Sequence, residues 1–212
     1  MNTALSLSDR IFDDADSGEI DPLELFEEWF AKAKEGEIND PNAMALATVD
    51  ASGMPDIRTV LMNGRDHRGF VFFTNFESRK GDELRANPRA ALGFHWKSQR
   101  RQVRVRGQVE IVSDGEADAY FARRPRVSQL GAHASQQSRP LAGKAELIER
   151  VESLKVSLPE TVPVPRPNHW SGFRIVPVEI EFWQDGAHRL HDRVRFTRTA
   201  PSSPWSRQRL YP

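Results

Sequence analysis

The stretch EFWQDGAHRLHDR, residues 181–193, places two imidazoles and two guanidiniums, His188, Arg189, His191 and Arg193, within ten residues of Trp183. A turn leading to a solvated edge needs only Lys, Ser or Asn, so the side chains chosen here raise the question of what they recognise. A metal is not expected: His188 and His191 are three apart on a turn and strand, with no convergent carboxylate or third histidine. Two other stretches could hold anions. At Ser78, Arg79 and Lys80 a strand gives way to a helix, where the helix amino end, a hydroxyl and two cations could converge on a phosphate. The plain alternative there is a capped surface helix. In YFARRPRVS, Tyr120, Arg124 and Ser128 recur at four-residue spacing; on a helix running on into a turn they would project to one side and could hold a second phosphate. Taken singly, Tyr120 reads as a core edge and Arg124 as a solvated charge. There is neither a G-x-G-x-x-G after a strand nor a P-loop, so the backbone cradles of dinucleotide and nucleoside triphosphate sites are missing. A phosphorylated cofactor beside a phosphorylated substrate is the reading these stretches suggest.

Composition narrows the partners. The 212 residues carry 30 Lys+Arg and 30 Asp+Glu, so no net field favours nucleic acid or an anionic membrane. Of the basic residues 24 are Arg and 6 are Lys, and Arg offers a planar fork for phosphate and carboxylate, although most of these read as solvated charges. No cysteine is present, which excludes disulfides, thiolate ligands and cysteine nucleophiles. No apolar run spans a bilayer and no basic, apolar leader opens the chain, so a cytoplasmic protein is expected.

These residues need elements to position them. Residues 1–20 are polar, acidic and aperiodic, which suggests a mobile arm preceding a single domain over residues 21–212. Asp21, Pro22 and Glu24 read as the capped start of a helix to about residue 36, with Leu23, Phe26, Phe30 and Ala33 at helical spacing. Short strand candidates follow at AMALATVD, DIRTVLMN and GFVFFTNF, then a helix at SRKGDELRANP and a strand at RAALGFHW. RQVRVRGQVEIVS alternates, placing Val103, Val105, Val109 and Ile111 on one face and Gln102, Arg104, Arg106, Gln108 and Glu110 on the other. Ser113 and Glu116 open a helix stopped by Pro125, residues 127–143 read as a loop, and residues 144–158 as a helix. A proline-rich connection leads to the strand GFRIVPVEIEFWQ, a turn at Asp185 and Gly186, and HDRVRFTRT. About six antiparallel strands with three or four outer helices predict a small β-barrel, a mainly β, α+β fold.

The ordered motifs RTVLMN, FFTNFESRKGDEL, RRQVRVRG, YFARRPRVSQLGA, SQQSRPL and IEFWQDGAHRLHDR resemble those of pyridoxamine 5'-phosphate oxidase, the FMN-dependent split-barrel family of vitamin B6 metabolism. The resemblance implies an antiparallel split barrel with peripheral helices, a homodimer, and FMN at the subunit interface. It implies FMN contacts from Arg58, Val60, Leu61, Phe73, Thr74, Arg79, Lys80, Gln102, Gln137, Ser138, Trp183 and Arg193. Tyr120, Arg124 and Ser128 would hold the substrate phosphate, with position 63 beside them, and Arg189 and His191 would lie over the substrate ring as the catalytic pair. The implied reaction is oxidation of pyridoxamine 5'-phosphate and pyridoxine 5'-phosphate to pyridoxal 5'-phosphate, with oxygen as electron acceptor.

Three positions depart from the family pattern: Asn63 where the strand usually closes in lysine, His133 in place of a tryptophan, and Gln136 in place of a lysine. Loss of one charge-assisted contact costs about 1.5–3 kcal/mol of binding. A split-barrel flavin oxidase acting on another aromatic substrate, and a non-enzymatic protein binding pyridoxal phosphate or flavin, therefore stay open at this stage.

Overall fold

A computed structural model of the chain describes residues 6–13 and 18–212. Turn residues cut much of the chain into short extended runs, and these pair as β1 (Ala43–Val49), β2 (Pro55–Leu61), β3 (Gly64–Asp66), β4 (Gly69–Asn75), β5 (Arg89–Trp96), β6 (Arg101–Ile111), β7 (Trp170–Gln184), β8 (Asp192–Thr197) and β9 (Ser206–Arg209). Every pairing is antiparallel, in the order β2-β1-β5-β6-β7-β4-β3, with β8 on β7 and β9 on β8. The short β3 and β9 were not anticipated from the sequence; each carries mostly polar side chains with no alternation to betray it.

The sheet curls. In a flat sheet β5 and β4 would stand roughly 14 Å apart, three strand spacings. Yet Phe94 of β5 and Phe70 of β4 have ring centroids 6.1 Å apart. Between them sits Phe26 of α2 (Pro22–Gly36), at 4.8 Å from Phe70 and 5.0 Å from Phe94. Trp29, one turn on, packs edge-on against Phe182 of β7 at 5.1 Å. Phe26 and Trp29 are almost wholly buried, and burial of Phe26 stabilises the fold by about 2–3 kcal/mol. The helix begins where expected, with the Asp21 carboxylate accepting the Leu23 N–H at 2.7 Å and Pro22 at its first position, but among the described residues Glu24 does not complete a capping box.

Of the segment expected to be a mobile arm, residues 1–5 and 14–17 lie outside the described residues. The part that is described packs: α1 (Leu7–Arg10) is capped by Ser6, and Glu28 of α2 accepts hydrogen bonds from the Leu7 and Ser8 N–H groups at 3.0 Å. Ile11 is fully buried and Phe12 meets Trp29.

β7 organises the rest. One edge pairs with β6 along nearly its whole length, while the other pairs with β4 over residues 170–175 and with β8 over residues 179–184. The change of partner falls at an irregularity where Arg106 pairs with Glu179 but Gly107 with Pro177. Proline, lacking an N–H, is tolerated at such a bulge. Gly107 is needed there because a Cβ would stand 2.2 Å from the Val176 carbonyl oxygen. Val103 and Val105 are buried as their alternation predicts, whereas Ile111, at the strand end, is exposed.

Three outer helices lie between β6 and β7: α4 (Asp114–Ala122), α5 (Arg126–Ala134) and α6 (Lys144–Ser157). Ser113 and Glu116 form the anticipated capping box of α4. α5 corrects the expectation of a loop over residues 127–143. Its buried Gln129, Leu130 and Ala134 fall at helical spacing, masked in the sequence by small and polar neighbours.

Candidate active site

A cleft of about 610 Å³ opens beside β2, β4 and α3 (Arg79–Ala86), and most of the anticipated site residues line it. On the edge strand β2, side chains alternate between solvent and the protein, so Arg58 and Val60 turn inward while Leu61 stays exposed at the cleft mouth. The Arg58 guanidinium donates to Asp56 at 2.8 Å and Glu83 at 3.1 Å, and also to the Thr48 hydroxyl. Burial alone would raise the Glu83 carboxyl, but hydrogen bonds from Thr48, Arg79 and Arg58 outweigh it and hold it below the ordinary carboxylate range.

At the start of α3, Ser78 caps the helix. Arg79 is largely exposed and donates to Glu83 at 2.9 Å. Lys80 is buried, and among the described residues its Nζ donates only to uncharged oxygens: Gln137 Oε1 at 2.8 Å, Ser78 Oγ at 3.1 Å and Thr74 Oγ1 at 3.3 Å. Burial, with a smaller push from the Arg58 charge, lowers Lys80 to about 8. Three cations, Arg58, Arg79 and Lys80, thus face two carboxylates, Asp56 and Glu83, at a helix amino end. Such a place favours a further anion.

A second group stands across an aromatic wall. The rings of Phe73 and Tyr120 stack with centroids 4.1 Å apart and planes 3° from parallel, and Trp170 lies nearly parallel to both. The Arg124 guanidinium packs over Trp170 at 4.8 Å, yet its Nη1 is buried without a hydrogen-bond partner among the described residues. An unpaired buried donor of this kind costs about 1–3 kcal/mol unless a ligand satisfies it. Burial raises the Tyr120 phenol, against the pull of Arg124.

The helix carrying Tyr120 ends at Ala122, and in place of the expected turn a second helix, α5, starts after its N-cap residue Pro125. Tyr120 and Arg124 reach the cleft, whereas Ser128, on the first turn of α5, is not part of its lining. Gln137 and Ser138 line the cleft from the loop after α5, Ser138 with φ of 70°. Asn63 lines it just beyond β2. His133 points elsewhere: its Nε2 donates to the Pro165 carbonyl at 2.7 Å, tying α5 to the proline-rich connection. Trp170 was missed in the sequence, where it follows that connection and opens β7 with no spacing to mark it.

The remaining residues form a separate cluster on the other end of β7. Gln102 pairs with Trp183 and Trp183 with Arg193 across adjacent strands. The Trp183 and His191 rings are 4.6 Å apart. Arg193 donates to Glu181 Oε1 at 2.9 Å and to the Tyr211 carbonyl at 2.8 Å. His188 and Arg189 both adopt positive φ, 54° and 65°, a costly conformation for residues with side chains, and Arg189 is exposed. None of these residues lines the cleft. Gly172, paired with Phe73, is separated from Trp183 by eleven residues of β7, roughly 35 Å of strand at about 3.3 Å per residue.

The curled sheet and its cationic cleft define a split-barrel protein with room for anionic ligands. Residues 30–156 match the family described as pyridoxamine 5'-phosphate oxidase, and residues 170–212 match the pyridoxine 5'-phosphate oxidase C-terminal dimerisation region. The chain belongs to the pyridoxamine 5'-phosphate oxidase family. It is 61% identical to the pyridoxine/pyridoxamine 5'-phosphate oxidase of Azorhizobium caulinodans, covering 91% of this chain and 90% of that one. Identity to the protein of the same name from Agrobacterium fabrum is 58%, over 92% and 94% of the two chains. Among solved structures, PhzG of Burkholderia lata in complex with tetrahydrophenazine-1-carboxylic acid superposes with a TM-score of 0.85 at 31% identity, covering 95% of this chain and 96% of that one. No helix of the described residues is long and apolar enough to cross a membrane.

Proposed function

We propose that the chain oxidises pyridoxamine 5'-phosphate and pyridoxine 5'-phosphate to pyridoxal 5'-phosphate, using FMN and oxygen, as a cytoplasmic homodimer in which residues 21–212 act as one FMN-binding domain. For the amine, one oxygen and one water enter, and ammonia and hydrogen peroxide leave. The observation that carries the proposal is the pair of cationic groups around one aromatic-walled cleft, each lacking an anion: buried Lys80 with only neutral acceptors, and Arg124 with an unpaired buried N–H.

The residues present fit FMN. Arg58, Arg79, Lys80 and the amino end of α3 supply charge and N–H donors for its phosphate, and Val60, Leu61, Phe73, Thr74, Gln137 and Ser138 supply a mixed polar and apolar wall. When bound, FMN supplies the two-electron acceptor that oxygen regenerates. The protein's task is orientation. Tyr120 and Arg124 would grip the substrate phosphate, with Ser128 assigned to the same grip by the family pattern alone. Phe73 and Trp170 exclude water from one side. Arg189 and His191 would orient the substrate ring and assist proton loss, and no side chain need act as an obligatory base.

Gln102, Trp183, Arg189, His191 and Arg193 do not line the same chain's cleft, and they fall in or beside the segment matching a dimerisation region. A second copy that brings this cluster over the cleft completes the site. A tricyclic carboxylate such as the ligand of the Burkholderia protein carries no phosphate for the Tyr120 and Arg124 group, which favours the B6 substrates.

Anaerobic reduction tests the reading. Yellow, FMN-loaded protein should bleach with pyridoxamine 5'-phosphate, recolour in air and release pyridoxal 5'-phosphate. Protein that binds pyridoxal 5'-phosphate but no flavin, or that bleaches only with a tricyclic carboxylate, would overturn it.

A further inference from the structure

Beside the cleft lies a recess of about 260 Å³ that shares Asn63, Phe73 and Tyr120 with it. Asn63 is neutral where the family strand usually closes in lysine, so a cation is missing at the margin of the substrate-phosphate group. Three arginines line the recess, and two are already committed. Arg174, buried, donates to Asp66 at 2.6 Å and Glu116 at 2.5 Å, which also occupies both carboxylates. Arg65 pairs with Glu27 and packs over the rings of Phe26 and Phe30.

Arg123 is the third. It caps α4 and is exposed, and its Nε donates to the Ala119 carbonyl of its own helix at 3.2 Å. Its guanidinium lies 5.8 Å from the centroid of the Tyr120 ring. It makes no ion pair among the described residues. Standing three residues after Tyr120, it is that residue's neighbour on the helix surface. Among the described residues no protein group holds its two terminal nitrogens, and a guanidinium fork suits phosphate oxygens.

We propose that Arg123 supplies the cation that Asn63 does not, closing on the substrate phosphate from the end of α4 while Tyr120 and Arg124 hold it from the cleft. This rests on the assignment of Tyr120 and Arg124 to the substrate phosphate.

The test compares Arg124→Ala, Arg123→Ala and the double variant Arg123→Ala, Asn63→Lys in FMN-loaded protein. KM and kcat are measured with pyridoxamine 5'-phosphate and with unphosphorylated pyridoxamine. Equilibrium binding of pyridoxal 5'-phosphate and of pyridoxal provides a readout independent of turnover. Arg123→Ala should raise KM and the dissociation constant roughly tenfold for the phosphorylated compounds and leave the others unchanged, since a half-solvated charged contact sits at the low end of such effects. Adding Asn63→Lys should restore most of the loss, which a structural role for Arg123 would not produce. If Arg124→Ala weakens phosphate selectivity but Arg123→Ala does not, or if Asn63→Lys fails to rescue, the assignment of Arg123 is wrong and the phosphate group stands. If Arg124→Ala leaves phosphate selectivity untouched, the phosphate group itself is misassigned and Arg123 with it.

Discussion

If Lys80 holds the FMN phosphate as proposed, FMN affinity becomes a function of pH in a way that can be worked out in advance. In the ligand-free protein burial lowers its ammonium from 10.5 to about 8. A phosphate dianion set against it would reverse the penalty and return the group to its ordinary value or above. Below pH 8 the proton is already in place; above it, binding must take one up, and the dissociation constant climbs by up to tenfold per pH unit. Between pH 7.5 and 9.5, a shift from about 8 to 10.5 predicts roughly a twentyfold loss of affinity. Flavin fluorescence quenching across that range is the assay. Riboflavin, which lacks the phosphate, should show none of the dependence, and Lys80→Arg should flatten it for FMN. A flat FMN profile in the unmodified protein, or an equal slope with riboflavin, refutes the placement of phosphate at Lys80. The same shift acts on stability. From pH 8 to 10.5 the unfolded chain holds this proton and the ligand-free fold does not, so unfolding free energy should rise with pH over that window. Saturating FMN should abolish the rise.

Arg79→Ala should weaken FMN binding about tenfold, the low end for a charged contact because the side chain is largely exposed, with an unchanged thermal midpoint in the same preparation. Gly81→Ala should act on the fold as well: the new Cβ would stand 2.2 Å from the Phe76 carbonyl oxygen, costing about 2–3 kcal/mol by urea denaturation and displacing the start of α3, so FMN affinity falls too. Sedimentation of the flavin-loaded protein at micromolar concentration should give a dimer, and a monomer that retains flavin and activity would contradict a site shared between copies.

Where side-chain period and burial agree, the sequence is readable. The alternation of β6 and the helical spacing of Phe26, Phe30 and Ala33 in α2 both reappear as buried faces. β3 and β9 were not legible because polar edge strands carry no burial period, and α5 was hidden because Gly131 and its small neighbours resemble a loop. Of the site, residue type marked the helix start at Ser78–Lys80 and the pair Tyr120 and Arg124. Trp170 escaped because its role comes from β4 and β7 lying side by side, a contact between residues 97 positions apart in the chain, Phe73 and Trp170. Ser128 was grouped with Tyr120 and Arg124 on a helix running on into a turn, whereas a second helix starts after Pro125 and carries Ser128 on its first turn.

The length of β7 has a genetic consequence. One strand carries Trp170 at its start, beside the cleft, and Trp183 near its end, in the cluster offered to a second copy. In a twofold dimer each β7 then belongs to both sites, and defects at its two ends segregate. Arg124→Ala and Arg193→Ala subunits, assayed at a low substrate concentration where each weakened site turns over slowly, would form mixed dimers with one site damaged twice and the other intact. Random reassortment of equal amounts should therefore raise the activity at that concentration to about a quarter of the unmodified value, above that of either variant alone.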